Sequence, residues 1–241
     1  MSAAIPGVDR IDLHAEAGST NDLALALPDK GAVPVHLIVA ERQTAGRGRQ
    51  GNRWLAGEGA LTFSALLHMS SLEMPEARRP FVSLATGLAL CRALQSTVEA
   101  PCSVKWPNDV FIGDQKVAGI LVESCPDAAD CLVVGVGVNV RNSPAFELSD
   151  SATSIIDHGD APQPQELLHE IMREFFASLA VLRSSQAVLV SKLNAVSYLT
   201  GRHIRVQDCC GICQGIAPSG AIAIGTSSGT RELIAGTVEL L

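Results

Sequence analysis

The sequence predicts an α+β fold: a β-sheet with helices packed on it, followed by a small β-barrel. Apolar runs of strand length lie at residues 35–40, 61–67 and 131–140, and between and after them apolar positions recur at helical spacing over 75–96 and 166–182. Beyond Leu199-Thr200-Gly201 the texture changes to short β-like runs divided by glycines. At 241 residues the chain can bury a full core, and the change of texture divides it into 1–196 and 197–241. A unit of about forty residues is near the lower limit for an independent core, so the second part is expected to dock on the first.

Taken in order, residues 10–15 form a first strand, and Gly18-Ser19-Thr20-Asn21-Asp22 punctuates before the apolar run 23–27. Ser19 or Thr20 can cap a helix there and Asp22 favours its first turn, while the unpaired N–H groups of the same helix start can bind a polar ligand head. Residues 28–34 break the pattern, and strand 35–40 (V-H-L-I-V-A) delivers the chain into a loop at 41–54. Strand 61–67 follows. Phe81, Leu84, Ala85, Leu88 and Cys91 then mark one continuous helix starting at Pro75 and reaching about Ser96.

Residues 104–123 read as strand, turn, strand, a Gly113-Asp114 hairpin and strand. Lys105 stands on an otherwise apolar strand, either paired with an incoming anion or on an edge in water. Asn108 and Asp109 suit a turn, and Lys116 suits a solvated hairpin position. In the strand 131–140, Gly135 and Gly137 thin one face and let something approach the backbone. Residues 141–164 are expected to form a long mobile loop before the helix 166–182, with a short helix at 186–195. The last β runs are 203–206, 215–217, 221–224, 232–235 and 237–240.

A net charge of −7 with 18% charged residues disfavours nonspecific adhesion to nucleic acid or anionic membrane, and 4% aromatic content leaves few rings for stacking bases. The chain start has no signal-peptide-length apolar run and no segment approaches a membrane span, so a cytoplasmic protein is expected. Seven scattered cysteines read as reduced, mostly buried thiols. Cys210 and Cys213 form a C-x-x-C without the second close pair that zinc would need.

Against that acidic background, E-R-Q-T-A-G-R-G-R-Q-G-N-R-W at 41–54 sets four arginines among three glycines. Glycine permits close approach and positive φ, and arginine offers a fork of donors matched to carboxylate and phosphate oxygens. The spacing of Gly46, Gly48 and Gly51 is neither a Walker A loop nor a dinucleotide fingerprint. The alternatives are a loop closing on an anionic ligand and a solvated basic turn.

Five strings in order carry a resemblance: S-T-N at 19–21, G-R-G-R-Q-G at 46–51 followed by Trp54, K-W-P-N-D at 105–109, K-V-A-G-I-L-V-E at 116–123 and G-V-G-V-N at 135–139. With them the chain resembles the biotin protein ligases, also called biotin-[acetyl-CoA-carboxylase] ligases. The resemblance implies a mixed β-sheet with helices packed on it, as in class II synthetase-like ligase domains, and an SH3-like C-terminal barrel. It also implies two steps: biotin and MgATP give biotinyl-5'-AMP, and a lysine of a biotin carboxyl carrier protein then takes the biotinyl group. By the same analogy Lys105, Arg47 and Arg49 are catalytic. Ser19, Thr20, Asn21, Gln43, Gly46, Gly48 and Gly119 join those three cations around biotin. Arg53, Trp54, Asn108, Asp109, Lys116 and Asn139, with Arg49, fall near the nucleotide.

ATP, Mg²⁺ and biotin are then cosubstrates or substrate, with no tightly bound prosthetic group, no protein metal site and no cysteine nucleophile. Only eighteen residues precede Ser19, so a short form without the family's frequent DNA-binding domain is expected, with neither DNA nor membrane as partner. Gln50 and Asn52 replace basic residues of the most arginine-rich members. The rivals are a lipoate or octanoate ligase or transferase of the same fold, and a non-catalytic biotin-binding module.

Overall fold

Three strands with almost no exposed residue form the centre of the molecule: β2 (Val35–Gln43), β3 (Ala60–His68) and β7 (Ala128–Asn139). The computed structural model describes residues 4–27, 29–30, 32–55, 57–141 and 152–241. β1 (Arg10–Ala17) lies parallel to β2, and β6 (Gln115–Cys125), β5 (Asp109–Ile112) and β4 (Cys102–Lys105) continue the sheet antiparallel on the far side of β7. The order is β1-β2-β3-β7-β6-β5-β4, a mixed sheet as expected.

Alternation along these strands sorts their side chains between two faces. Val35, Leu37 and Val39 of β2, Phe63, Ala65 and Leu67 of β3, and Val134, Val136 and Val138 of β7 enter the main core. Helices α2 (Val82–Gln95) and α3 (Pro164–Ser184) cover that face, α3 burying Leu167, Leu168, Ile171, Met172, Phe175 and Leu179 at helical spacing. On the opposite face Ile38, Leu66 and Val133 pack beneath the short helix α1 (Thr20–Ala26), and Gly135 and Gly137 of β7 belong to the same face.

The single helix expected over 75–96 is two elements. Glu76–Phe81 is a 3₁₀ helix containing Pro80, and α2 begins at Val82. Pro80 has no N–H to donate and its ring crowds the preceding turn, so the α-helical ladder starts only after it. The loop expected at 141–164 lies outside the described residues over 142–151. Its last part is ordered by a 3₁₀ turn, Ile155–His158, whose Asp157 carboxylate accepts from the Ser154 backbone N–H at 2.9 Å.

Helix α4 (Gln186–Ala195) leads into a second, antiparallel sheet of β8 (His203–Val206), β9 (Cys209–Ile216), β10 (Ile222–Thr226), β11 (Gly229–Leu233) and β12 (Val238–Leu240). Its order is β11-β10-β9-β8-β12, and among the described residues the two end strands are not paired to each other. Residues 209–214 belong to β9, a strand their small, polar and cysteine composition conceals. Ile204, Val206, Ile216, Ile222 and Ile224 join the same core cluster as the large sheet, so the second sheet docks on the first. Two polar pins fix the seam: Trp106 Nε1 donates to the Gly220 carbonyl (3.0 Å), and the Asn194 side chain exchanges both bonds with the Ile216 backbone (2.7 and 2.9 Å).

Trp106 is 3% exposed, so Trp106→Phe removes a buried hydrogen bond and leaves a gap at the seam. A loss of about 1–3 kcal/mol is expected, read as a lower urea midpoint.

Candidate functional site

Sheet register, not sequence proximity, assembles the site. Lys105 pairs with Asp109, Asp109 with Gly119, Gly119 with Gly137 and Gly137 with Thr62, so one row crosses five strands. The next row carries Leu121, Gly135 and Ser64. Above these rows lies a cleft of about 190 Å³, bounded by the start of α1, the segment 47–54, the turn 105–109 and residues 236–238 of the second sheet.

The glycines of β7 accommodate parts of the chain itself. A Cβ on Gly135 would stand 2.1 Å from Asn21 Oδ1, and one on Gly137 would stand 2.2 Å from Trp54 Cε2. The Trp54 ring therefore lies flat on the floor, with Gly119 beneath its other edge and Lys116 Nζ 5.9 Å from its centroid. Its indole N–H is shielded against the sheet and has no hydrogen-bond acceptor among the described residues.

The glycine–arginine segment folds as a narrow hairpin. The Trp54 N–H donates to the Gly46 carbonyl (2.9 Å), the Gly48 N–H donates to the Asn52 carbonyl (2.7 Å), and Arg47 bridges Arg53. Gln50 (φ 55°) and Gly51 (φ 78°) turn the tip through the left-handed region. Contacts at three of its residues tie it down. Arg47 forms a bidentate pair with Glu123 (2.9 and 2.7 Å) and reaches Asp22 at 2.8 Å, Arg49 donates to Asn108 Oδ1 (3.1 Å), and Thr237 donates to Gln50 Oε1 (3.2 Å). The hydrogen bonds to Glu123 hold the Arg47 proton more tightly, raising its pKa above the ordinary value.

At the α1 end the cleft is lined by hydroxyls and amides. Ser19 precedes the helix without capping it through its side chain. Gln43 does so instead, its Oε1 accepting from the Thr20 N–H at 2.7 Å, because β2 ends where that donor is exposed. Asn21 Nδ2 donates to Glu123 (2.7 Å), and Ser64 Oγ lies 2.6 Å from Asn21 Oδ1 and 2.7 Å from Thr20 Oγ1. Ser19, Thr20 and Asn21 are all buried, so the network is rigid before any ligand arrives.

The other end is cationic. Lys105 is half-buried 5.3 Å from the Phe111 ring centroid and has no carboxylate at ion-pair distance among the described residues. Burial lowers its pKa, partly offset by Asp109, with Lys116 and Arg202 lowering it further. Lys116 is not a free hairpin residue but pairs with Asp109 at 2.7 Å. Asn108 is strapped to β6, its Nδ2 donating to the Ile120 carbonyl at 3.0 Å. Among the described residues Arg47, Arg49, Arg53, Lys105 and Lys116 line the cleft with a single acid, Asp109, a strong local excess in an acidic chain.

Of the residues expected at the site, fourteen meet at this cleft, namely Ser19, Thr20, Asn21, Gln43, Arg47, Gly48, Arg49, Arg53, Trp54, Lys105, Asn108, Asp109, Lys116 and Gly119. Gly46 lies behind the wall, where a Cβ would meet the Trp54 carbonyl at 2.5 Å, so its smallness closes the hairpin. Asn139 is buried past the floor, donating to the Thr153 carbonyl at 3.0 Å. Sequence reasoning missed Ser64 and Glu123. Both sit on strand faces that alternation alone would have aimed at the glycines, had the register been known. Burial pushes the thiols of Cys91 and Cys102 up to about 12 and about 11, and Cys210 is the exposed member of the C-x-x-C while Cys213 is buried.

Gly137→Ala puts a methyl where the Trp54 ring lies. We expect the ring and its hairpin to be displaced, with a quenching or shift of tryptophan fluorescence and destabilisation of about 1–3 kcal/mol.

Residues 18–139 match the model of the Biotin/lipoate A/B protein ligase family. A biotin--[acetyl-CoA-carboxylase] ligase from Mycobacterium tuberculosis is 33% identical over 96% of this chain and 89% of its own length, and one from Paracoccus denitrificans is 30% identical over 93% and 98%. Among solved structures, a biotin protein ligase from Aquifex aeolicus in complex with biotin and ATP is similar at a TM-score of 0.83 and 30% identity, over 97% of this chain and 99% of that one. With most of its motif residues gathered around one cleft and a relative 33% identical over 96% of its length, the chain belongs to the Biotin/lipoate A/B protein ligase family.

Proposed function

We propose that the protein is an ATP-dependent biotin protein ligase, which activates biotin as biotinyl-5'-AMP and transfers it to a lysine of the biotin carboxyl carrier protein of acetyl-CoA carboxylase. The observation that carries this reading is the two-ended cleft, a hydroxyl and amide network beside the cations Arg49, Arg53, Lys105 and Lys116, in a chain similar along its length to biotin ligases. A ureido head needs donors and acceptors together, which Ser19, Thr20, Asn21 and Gln43 supply. A carboxylate and a triphosphate meeting in one place need fixed positive charge.

In the first step the biotin carboxylate oxygen attacks the α-phosphorus and the bond to the bridging oxygen breaks, releasing pyrophosphate. Both reactants are anions, so their approach is repulsive unless cations stand between them. Lys105 fits this place: it is half-shielded, has no carboxylate at ion-pair distance among the described residues, and would gain from the ligand the counter-charge that Asp109 only partly supplies. Arg49, Arg53 and Lys116 line the same cleft and would meet the remaining phosphates. In the second step a neutral carrier lysine attacks the acyl carbon, AMP leaves with the electron pair and the amine loses its proton to solvent. No enzyme nucleophile is needed, consistent with the burial of most of the thiols.

Mg²⁺ fits as an ion carried in on the triphosphate. Among the described residues Asp109 is the one acid lining the cleft and is paired with Lys116, so phosphate oxygens and water would supply most of the ion's ligands, and the ion would screen charge on the leaving pyrophosphate. The reading places the protein in the cytoplasm with its carrier, and among the described residues no helix is long and apolar enough to cross a membrane.

Incubation with biotin, ATP, Mg²⁺ and a biotin carboxyl carrier domain should add one biotinyl mass to that domain. A folded preparation that leaves biotin untouched yet transfers lipoate would assign it to the lipoate branch of the family. Lys105→Ala should slow biotinyl-AMP formation by about a hundredfold or more. The free-enzyme pH profile supplies a separate check. Lys105 is charged below its lowered pKa and neutral above it, so kcat/KM for adenylation should fall as pH rises through a limb below the ordinary lysine value of 10.5. Lys105→Arg should remove that limb, since arginine stays charged.

A further inference from the structure

We infer that Glu123 is a positioning residue: its carboxylate, with that of Asp22, holds the Arg47 guanidinium and pins the glycine–arginine hairpin across the cleft as the wall that retains the acyl-adenylate. The inference rests on the adenylate-forming reaction proposed above. It concerns residues to which that reaction assigns no part, and it changes the part of Arg47.

The geometry separates Arg47 from the other cations. Both terminal nitrogens of its fork are engaged by Glu123 at 2.9 and 2.7 Å, and one of them also reaches Asp22 at 2.8 Å. Two carboxylates thus face one guanidinium, and their excess negative charge lies at the α1 end, beside the hydroxyls and amides suited to an uncharged head. Arg49 and Lys105 have no carboxylate at ion-pair distance among the described residues and stand at the phosphate end. A guanidinium already neutralised twice adds little to the field at a phosphate, so Arg47 works as a strut.

Glu123 is well placed to anchor that strut. It lies on β6 opposite the buried Val133 of β7, and its side chain is 24% exposed against 38% for Arg47. The same Oε2 that receives Arg47 receives Asn21 Nδ2 at 2.7 Å, and Asn21 can sit there only because Gly135 has no side chain. One carboxylate therefore couples the head-group network to the hairpin. The hairpin's other ties, Arg49 to Asn108 and Thr237 to Gln50, are single hydrogen bonds involving neutral partners. The Glu123 pair is bidentate and charge-assisted, the strongest of the three.

The test is the release rate of biotinyl-AMP from the full-length protein, preloaded with biotin and radiolabelled ATP and chased with unlabelled substrates. Glu123→Gln keeps an oxygen for Asn21 but loses the charge on Arg47, and release should quicken about tenfold, with a smaller gain of about two- to threefold for Asp22→Asn. Arg47→Ala should release as fast as the Arg47→Ala/Glu123→Gln double variant, because both remove the same strut. A purely structural Glu123 would instead lower the thermal midpoint and slow adenylate formation without a selective rise in release. Release at the parental rate in Glu123→Gln, or a double variant whose effect is the product of the single ones, overturns the inference. If Glu123→Gln does not fold, Asp22→Asn decides by the same criterion, since its side chain is 57% exposed. Parental protein that forms no adenylate at all would refute the proposed function, a result visible before any variant is made.

Discussion

The site depends on side chains that are missing. Gly119, Gly135 and Gly137 leave a bare stretch of backbone on one face of an otherwise well-filled sheet, and Asn21 and Trp54 descend onto it from two separate segments. Methyl groups at 135 and 137 would collide with those side chains at 2.1 and 2.2 Å, so neither the amide network nor the ring floor could form at its present depth. Glycine weakens a strand by exposing backbone and forgoing packing. That cost is offset on the reverse face, where Val134, Val136 and Val138 of the same strand are buried in the main core. One strand thus serves as both keel and ligand platform, and its period of two keeps the roles apart.

The rest follows from register. Because β4, β5, β6 and β7 are antiparallel neighbours, Lys105, Asp109, Gly119 and Gly137 fall on one line although more than thirty residues separate the first from the last. The β4–β5 turn at that line also supplies Asn108, which is tied to β6 on one side and to Arg49 on the other. Behind the turn, Trp106 reaches into the second sheet, and that sheet returns Thr237 to the hairpin tip. The hairpin is therefore supported from three elements distant in sequence, which lets a short, glycine-rich segment hold one conformation despite its backbone freedom.

Strands 35–40, 61–67 and 131–140 and the helix 166–182 were legible because burial on one or both faces imposes an apolar period that composition reveals. The helix over 75–96 was over-read, since its apolar spacing continues through Pro80 while its hydrogen bonding does not. β9 escaped because C-C-G-I-C-Q-G has a single branched residue, Ile212, and no clear apolar alternation, and its pairing comes from neighbours on both sides. At the site, motif residues were identifiable by type, but their partners were not. Gln43 as the cap of α1, Asp109 as the partner of Lys116, and Glu123 as the partner of Arg47 are all long-range choices, and no local spacing encodes them. The glycines of β7 were read correctly as points of close approach, though what approaches is the chain itself.

The distribution of charge gives the cleft its direction. A cation already matched by carboxylates can fix structure, while one left without a partner can change its energy when an anion arrives. Arg47 is of the first kind, with two carboxylates within 2.9 Å. Lys105 is of the second, its ammonium destabilised by burial and by the nearby positive charges of Lys116 and Arg202, and only partly compensated by Asp109. An incoming phosphate or carboxylate relieves that destabilisation, and it does so most at the point where two anions must be brought together. At the α1 end, by contrast, the hydrogen bonds are already made and two carboxylates face one guanidinium, so in the function proposed above an uncharged polar head is favoured there over a triphosphate.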